Sequence, residues 1–147
     1  MNTSMLKNIL NTEAGFGALA LRVPVGVIFA AHGAQKLFGW FGGYGLTGTA
    51  GWLESIGLAP GLLMALLAGG AEFFGGLALI LGLLTRPAAF SLSIAMVVAI
   101  FSVHFSNGFF ISNNGYEYAL ALLAGSLSLL ASGGGKAAID SWLANKF

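Results

Sequence analysis

Residues 60–84 read PGLLMALLAGGAEFFGGLALILGLL, an apolar run with a single ionisable side chain, Glu72, near its middle. The hydrocarbon core of a bilayer is about 30 Å thick, so a helix rising about 1.5 Å per residue needs about 20 mostly apolar residues to cross it. Three further runs share this character: Phe16–Phe38, Pro87–Phe105 and Tyr116–Ala131. The last is short and can borrow a turn from Ser132 before Gly133-Gly134-Gly135 ends it. Pro60 and Pro87 stand where proline is tolerated, in the first turn of a helix. Thr85-Arg86-Pro87 reads as a tight polar link between the second and third spans. Pro24 falls inside the first span, where it removes a backbone donor and bends the helix or marks a later start. The pattern predicts an all-α integral membrane four-helix bundle, with residues 1–147 as one domain.

Composition points the same way. The chain is 57% hydrophobic and only 7% charged, with a mean hydropathy of +0.88. A soluble domain clothes its surface with about a quarter charged residues, and this chain cannot. The net charge of +1 offers no basic field to hold nucleic acid. Absence of cysteine excludes disulfides, thiolate zinc sites, cysteine-ligated clusters and thiol–disulfide chemistry within the chain. Residues Met1 to Thr12 are mostly polar, which speaks against a cleaved signal peptide.

Between the first two spans, Gly39 to Ala59 is glycine-rich and then carries Trp52, Leu53 and Ile56 at helical spacing. A short helix in the headgroup zone suits that pattern, with Trp40 and Tyr44 as interface anchors. The tail, Lys136 to Phe147, reads as a small amphipathic helix with Ile139, Trp142 and Leu143 on one side. With four spans both termini share a side, and Lys7, Arg86, Lys136 and Lys146 lie on it. The opposite loops hold no Lys or Arg, so both termini are expected to face the cytoplasm.

Ionised groups cost at least a few kcal/mol in hydrocarbon, so they turn inward and find partners. Arg22, His32, Gln35, Lys36, Glu72, His104 and Glu117 lie in or beside the spans. Counted along the helices, His32, Lys36, His104 and Glu117 fall in the outer half and Glu72 near the middle. Arg22 lies apart in the inner half, with Arg86 and Asp140 near the inner face as structural charge pairs. Arg22, Gly26, Ala30, Gly33 and Lys36 form one stripe of small and charged residues, and Ala68, Glu72 and Gly76 form another. Small residues allow close helix approach in membranes.

Several readings of the outer cluster compete. A polar latch would pair Lys36 with Glu117 or Glu72 and lock the bundle. A binding site for a quinone-like ligand would use His32 and Lys36 on its oxygens, with Glu72 and Glu117 relaying protons and His104 closing the pocket. His32 and His104 could also form a bis-histidine haem pair, though two histidines alone argue for it only weakly. A metal site from His32, His104, Glu72 and Glu117 is an equally weak reading; Met64 and Met96 read as core or lipid contacts rather than copper ligands. Beyond the ligand-binding reading stand a scaffold that recruits partner proteins and a transporter of a small solute or proton. The separation of outer cluster from inner charges argues against the last.

The segments LRVPVGVIFAAHGAQKL (21–37) and EFFGGLALILGLLTRPAA (72–89), with His104, Glu117 and GGGKAAID (133–140), resemble the DoxX family of small bacterial membrane proteins. The resemblance covers nearly the whole chain beyond the first dozen residues. It implies a four-helix protein of the bacterial inner membrane. Some relatives are linked to sulfur oxidation with electrons passed to quinone, others to oxidative-stress complexes or quinone detoxification. The family's polar positions fall on Arg22, His32, Lys36, Glu72, Arg86, His104, Glu117 and Asp140. The expected partners are the lipid bilayer, an oxidoreductase protein and a quinone.

Overall fold

The computed structural model describes residues 3–12 and 15–147, so Met1 and Asn2 of the polar start lie outside the described residues. The described residues form α1 (Thr3–Leu10), α2 (Gly17–Phe38), α3 (Gly45–Ser55), α4 (Gly61–Leu81), α5 (Thr85–Ala99), α6 (Glu117–Ser132) and α7 (Ile139–Ala144), and no strand. Three helical stretches are long and apolar enough to cross a membrane: Gly17–Phe38, Gly61–Leu81 and Thr85–Asn107. α6 is apolar but has 16 residues.

Local sequence explains where these helices stop. α4 ends because Gly82 takes a left-handed conformation (φ 65°), which glycine adopts without a Cβ penalty. The Leu83 and Gly82 N–H groups then donate back to the Ala78 and Leu79 carbonyls, closing a Schellman turn. The link to α5 is therefore residues 82–84, and Thr85, Arg86 and Pro87 form the first turn of α5 rather than the link expected for them. Pro60 sits one position before α4, in extended backbone, and α2 runs unbroken through Pro24. Beyond Ala99, α5 widens into a π-helical turn over Ile100–His104 and tightens to a 3₁₀ turn at Phe105–Asn107.

α2 lies along α4, α4 packs on α5, α5 on α6, and α6 returns to α2. The α2–α4 seam is made by glycines. A methyl at Gly26 would come within 2.7 Å of the Gly76 carbonyl oxygen, and one at Gly33 would collide with the Phe73 backbone nitrogen. Where α6 meets α2, Gly125 faces Leu21 and Val25. The interior is otherwise built on Phe29, Leu79, Leu92, Leu122 and Leu129. Two hydroxyls also lie inside: Ser93 donates to the Ala89 carbonyl and Ser126 to that of Leu122, so neither needs a partner on another helix.

Large apolar side chains such as Leu63, Leu67, Phe74, Phe90 and Phe101 point outward. Small residues inside and bulky ones outside would be a liability in water. In lipid the arrangement is favourable, because close backbone approach replaces hydrophobic burial as the source of packing.

α3 covers the loop end of α2 and α4, burying Thr49 and Leu53 while Trp52 and Ile56 stay partly exposed. Thr49 Oγ1 donates to the Lys36 carbonyl at 3.3 Å, tying α3 to the last turn of α2. Only residues 139–144 of the tail are helical, with Ile139 and Trp142 exposed. The tail is held by its polar atoms instead: the Asp140 N–H donates to the Gly82 carbonyl at 2.9 Å, and the Ala137 carbonyl accepts from Arg22. Thr12 Oγ1 accepts from the Gly135 N–H and donates to the Ser132 carbonyl, and Arg86 donates to the carbonyls of Asn11 and Leu130.

Candidate functional site

Lys36, near the end of α2, and Glu72, in the middle of α4, meet across the glycine seam. Lys36 Nζ donates to Glu72 Oε2 at 2.6 Å. The glutamate side chain is 7% exposed and the lysine 25%, so the pair is half-withdrawn from its surroundings. It is the one ion pair among the described residues. The stripe that carries Lys36 explains the encounter: Arg22, Gly26 and Gly33 are buried on the same face of α2, and Gly69, Gly75 and Gly76 flank Glu72 on α4. Of the two carboxylates weighed for Lys36, Glu72 takes it.

The pair lies on the wall of an open cavity of about 510 Å³. His32 and Lys36 reach it from α2, Glu72 from α4, His104 from the π turn, Asn114 from the loop before α6 and Tyr118 from the first turn of α6. Phe29, Met96, Ala99 and Leu122 line its apolar part. His32 Nδ1 lies 2.9 Å from the Ile28 carbonyl, and His104 Nδ1 the same distance from the Asn114 carbonyl. The His32 and Tyr118 rings stand 6.2 Å apart. Asn107 Nδ2 also donates to the Asn114 carbonyl, holding that loop against the π turn.

Four of the five side chains grouped from sequence therefore share this cavity, and Glu117 does not line it. Glu117 occupies the first turn of α6, half-exposed, and its carboxylate meets no donor among the described residues. A position one residue on, Tyr118, points to the cavity instead; depth alone cannot separate two neighbours that differ by about 100° around a helix. Gln35 turns away and donates to the Phe41 carbonyl. Asn114, Tyr118 and Met96 were not singled out as site residues. Their signal was weak, since a polar aromatic at a span end reads equally well as an interface anchor.

The inner charges do not pair as ions. Arg22, 1% exposed, donates through Nη2 to the Ala137 carbonyl at 2.7 Å. Asp140, 2% exposed, has its two oxygens committed to the N–H groups of Leu84 and Thr85, at 2.7 and 2.8 Å. It acts on Arg22 through space, and Arg86 bonds only to carbonyls. The carboxylate is thus a cap for the start of α5, where unpaired N–H groups outcompete a more distant guanidinium.

Comparison with known proteins matches the sequence to a family. The DoxX family model covers residues 17–105. The chain is 39% identical over 130 residues to an uncharacterized protein of Haemophilus influenzae, covering 86% of this chain and 87% of that one. It is 32% identical over 123 residues to a Bacillus subtilis protein named "Putative oxidoreductase CatD", with 84% and 85% covered. It is 30% identical over 133 residues to "Inner membrane protein YqjF" of Escherichia coli, with 89% and 95% covered. No solved structure matches the chain at a significant level. With the family model covering more than half of the chain and these relatives matched over most of their length, the chain belongs to the DoxX family of membrane proteins.

Proposed function

We propose that the chain is a membrane subunit of an oxidoreductase system and binds a quinone-like ligand in the cavity between α2, α4, α5 and α6. The observation that carries this reading is an apolar cavity of about 510 Å³ with an ion pair and two histidines on its wall. Small-molecule sites are typically clefts of about 300–1,000 Å³, mostly apolar, with a few convergent polar groups. An aromatic ring would lie against Phe29, Met96 and Leu122, and its oxygens would meet Lys36, Glu72 and the imidazoles. With no cysteine in the chain, electrons would pass between the ligand and a partner oxidoreductase. The Bacillus subtilis relative named for an oxidoreductase supports the class and no more.

The membrane arrangement proposed with it has four spans, α6 included, with α3 in the headgroup zone and both termini cytoplasmic. The 16 residues of α6 give roughly 24 Å at about 1.5 Å per residue, short of the bilayer core by an amount that local thinning absorbs. Cysteine-free sequence makes this simple to check. A membrane-impermeant maleimide should label Ser112→Cys in intact cells and Lys146→Cys only after permeabilisation. The reverse pattern would turn the protein over.

Ligand binding is tested on purified protein in detergent with a short-tailed benzoquinone. Lys36→Met and Glu72→Gln should each weaken binding about tenfold or more, the loss of roughly one charge-assisted contact. Unchanged binding in both variants would dispose of the site. A second reading draws on the same 2.6 Å contact: the pair is a latch between α2 and α4 in a scaffold without chemistry. In that case both variants lower the melting temperature while the native protein binds no quinone at all.

A further inference from the structure

We infer, resting on the ligand site proposed above, that the cavity prefers the reduced, hydroxyl-bearing form of its ligand, a quinol or a catechol, over the oxidised quinone. The argument starts from the two imidazoles. Each has its Nδ1 at 2.9 Å from a main-chain carbonyl, Ile28 for His32 and Asn114 for His104. A carbonyl oxygen can only accept, so Nδ1 carries the proton in both rings. In a neutral imidazole the other nitrogen, Nε2, is then a lone pair and can only accept. Neither Nε2 has a hydrogen-bond partner among the described residues.

The rest of the wall is mixed in character. The Lys36 ammonium is held by Glu72 Oε2 at 2.6 Å, while Glu72 Oε1 accepts from no group among the described residues. Lys36 keeps two further N–H groups, so this end of the wall offers both donors and acceptors, and the selection falls to the two imidazoles. Tyr118 can serve in either sense. A quinone brings two carbonyl oxygens, acceptors that would face lone pairs at the two histidines. A quinol or catechol brings two hydroxyls, donors that match them. When a hydroxyl donates to Nε2 its proton can also pass across: the O–H bond breaks, the N–H bond forms, and no electron moves. The histidines would thus receive the protons that oxidation of the ligand must release.

The His104 tautomer is held by more than one contact. The Asn114 carbonyl that receives its Nδ1–H also receives Asn107 Nδ2 at 3.2 Å, which fixes the carbonyl in place beneath the π turn. For His32 the acceptor is the carbonyl one helical turn back, which stays put as long as α2 does.

Calorimetric titration of the full chain in detergent under anaerobic conditions tests this. Decylubiquinone and the same compound reduced to its quinol are compared. The quinol should bind about tenfold or more tightly, since about 1.4 kcal/mol separates affinities tenfold. His32→Phe, on an exposed position that leaves the fold intact, should shrink the ratio, and the His32→Phe/His104→Phe double variant should bring it near one. Equal affinity for both forms in the native protein, or a preference that survives in His32→Phe and in the double variant, would overturn the inference and leave the ligand site standing. Binding of neither form would remove both together.

Discussion

Replacing Gly33 with alanine is expected to push α2 away from α4 and destabilise the protein by about 3 kcal/mol, the upper end of what overpacking costs. Its new methyl would overlap the Phe73 backbone nitrogen and lie 2.6 Å from the Phe73 Cα. Backbone cannot rotate aside as a side chain can, so the helices themselves must separate. Separation at Gly33 also loosens Lys36, one turn further on, and its 2.6 Å contact with Glu72. The control is Gly70→Ala on the same seam helix, where a methyl meets nothing within 4 Å. Alanine there should be neutral or stabilise by up to about 1 kcal/mol through helix propensity. Thermal unfolding in detergent measures both; a Gly33→Ala protein that melts with the native one would refute the close crossing.

Asp140→Ala should cost about 3 kcal/mol or more, through two losses at once. The N–H groups of Leu84 and Thr85 lose their acceptors. Leu84 holds a left-handed conformation (φ 50°), strained for a branched residue, and its bond to Asp140 helps to hold it. Arg22 meanwhile loses the negative charge that acts on it, although its Nε and Nη1 already lack partners. An Asp140→Asn protein keeps one acceptor and no charge, so it should fall between the alanine variant and the native protein. If Arg22→Leu in the Asp140→Ala background restores part of the lost stability, the charge contribution is real. A double-mutant sum that is simply additive would assign the whole effect to the cap.

Much of this was readable in the chain because the solvent writes plainly. Hydrocarbon demands long apolar runs, and Phe16–Phe38 and Pro60–Leu84 differ by at most three residues at any end from α2 and α4. The stripe through Gly26, Gly33 and Lys36 was legible as a packed face because small residues at helical steps have little other use in lipid. What was illegible depended on contacts remote in sequence. Nothing local says that Thr12 will hold Gly135, or that Asp140 will cap a helix that begins at Thr85. Nor does the mostly polar start reveal that α1 buries Leu10 and packs on α5 and α7. Glu117 does not line the cavity with the other four, and this could not be read because sequence spacing gives level along a helix more readily than azimuth.

The widened turn at Ile100–His104 carries a consequence for how such proteins can diverge. A π turn is an α-helix with one residue too many, a common trace of insertion at a working position. Deleting His104 itself would take out the extra residue and restore an ordinary register, with the helix only about 1.5 Å shorter. The membrane body and the reactive equipment of its cavity are thus separable by a single codon: a sibling chain lacking that residue would keep its scaffold intact and lose one imidazole from the wall.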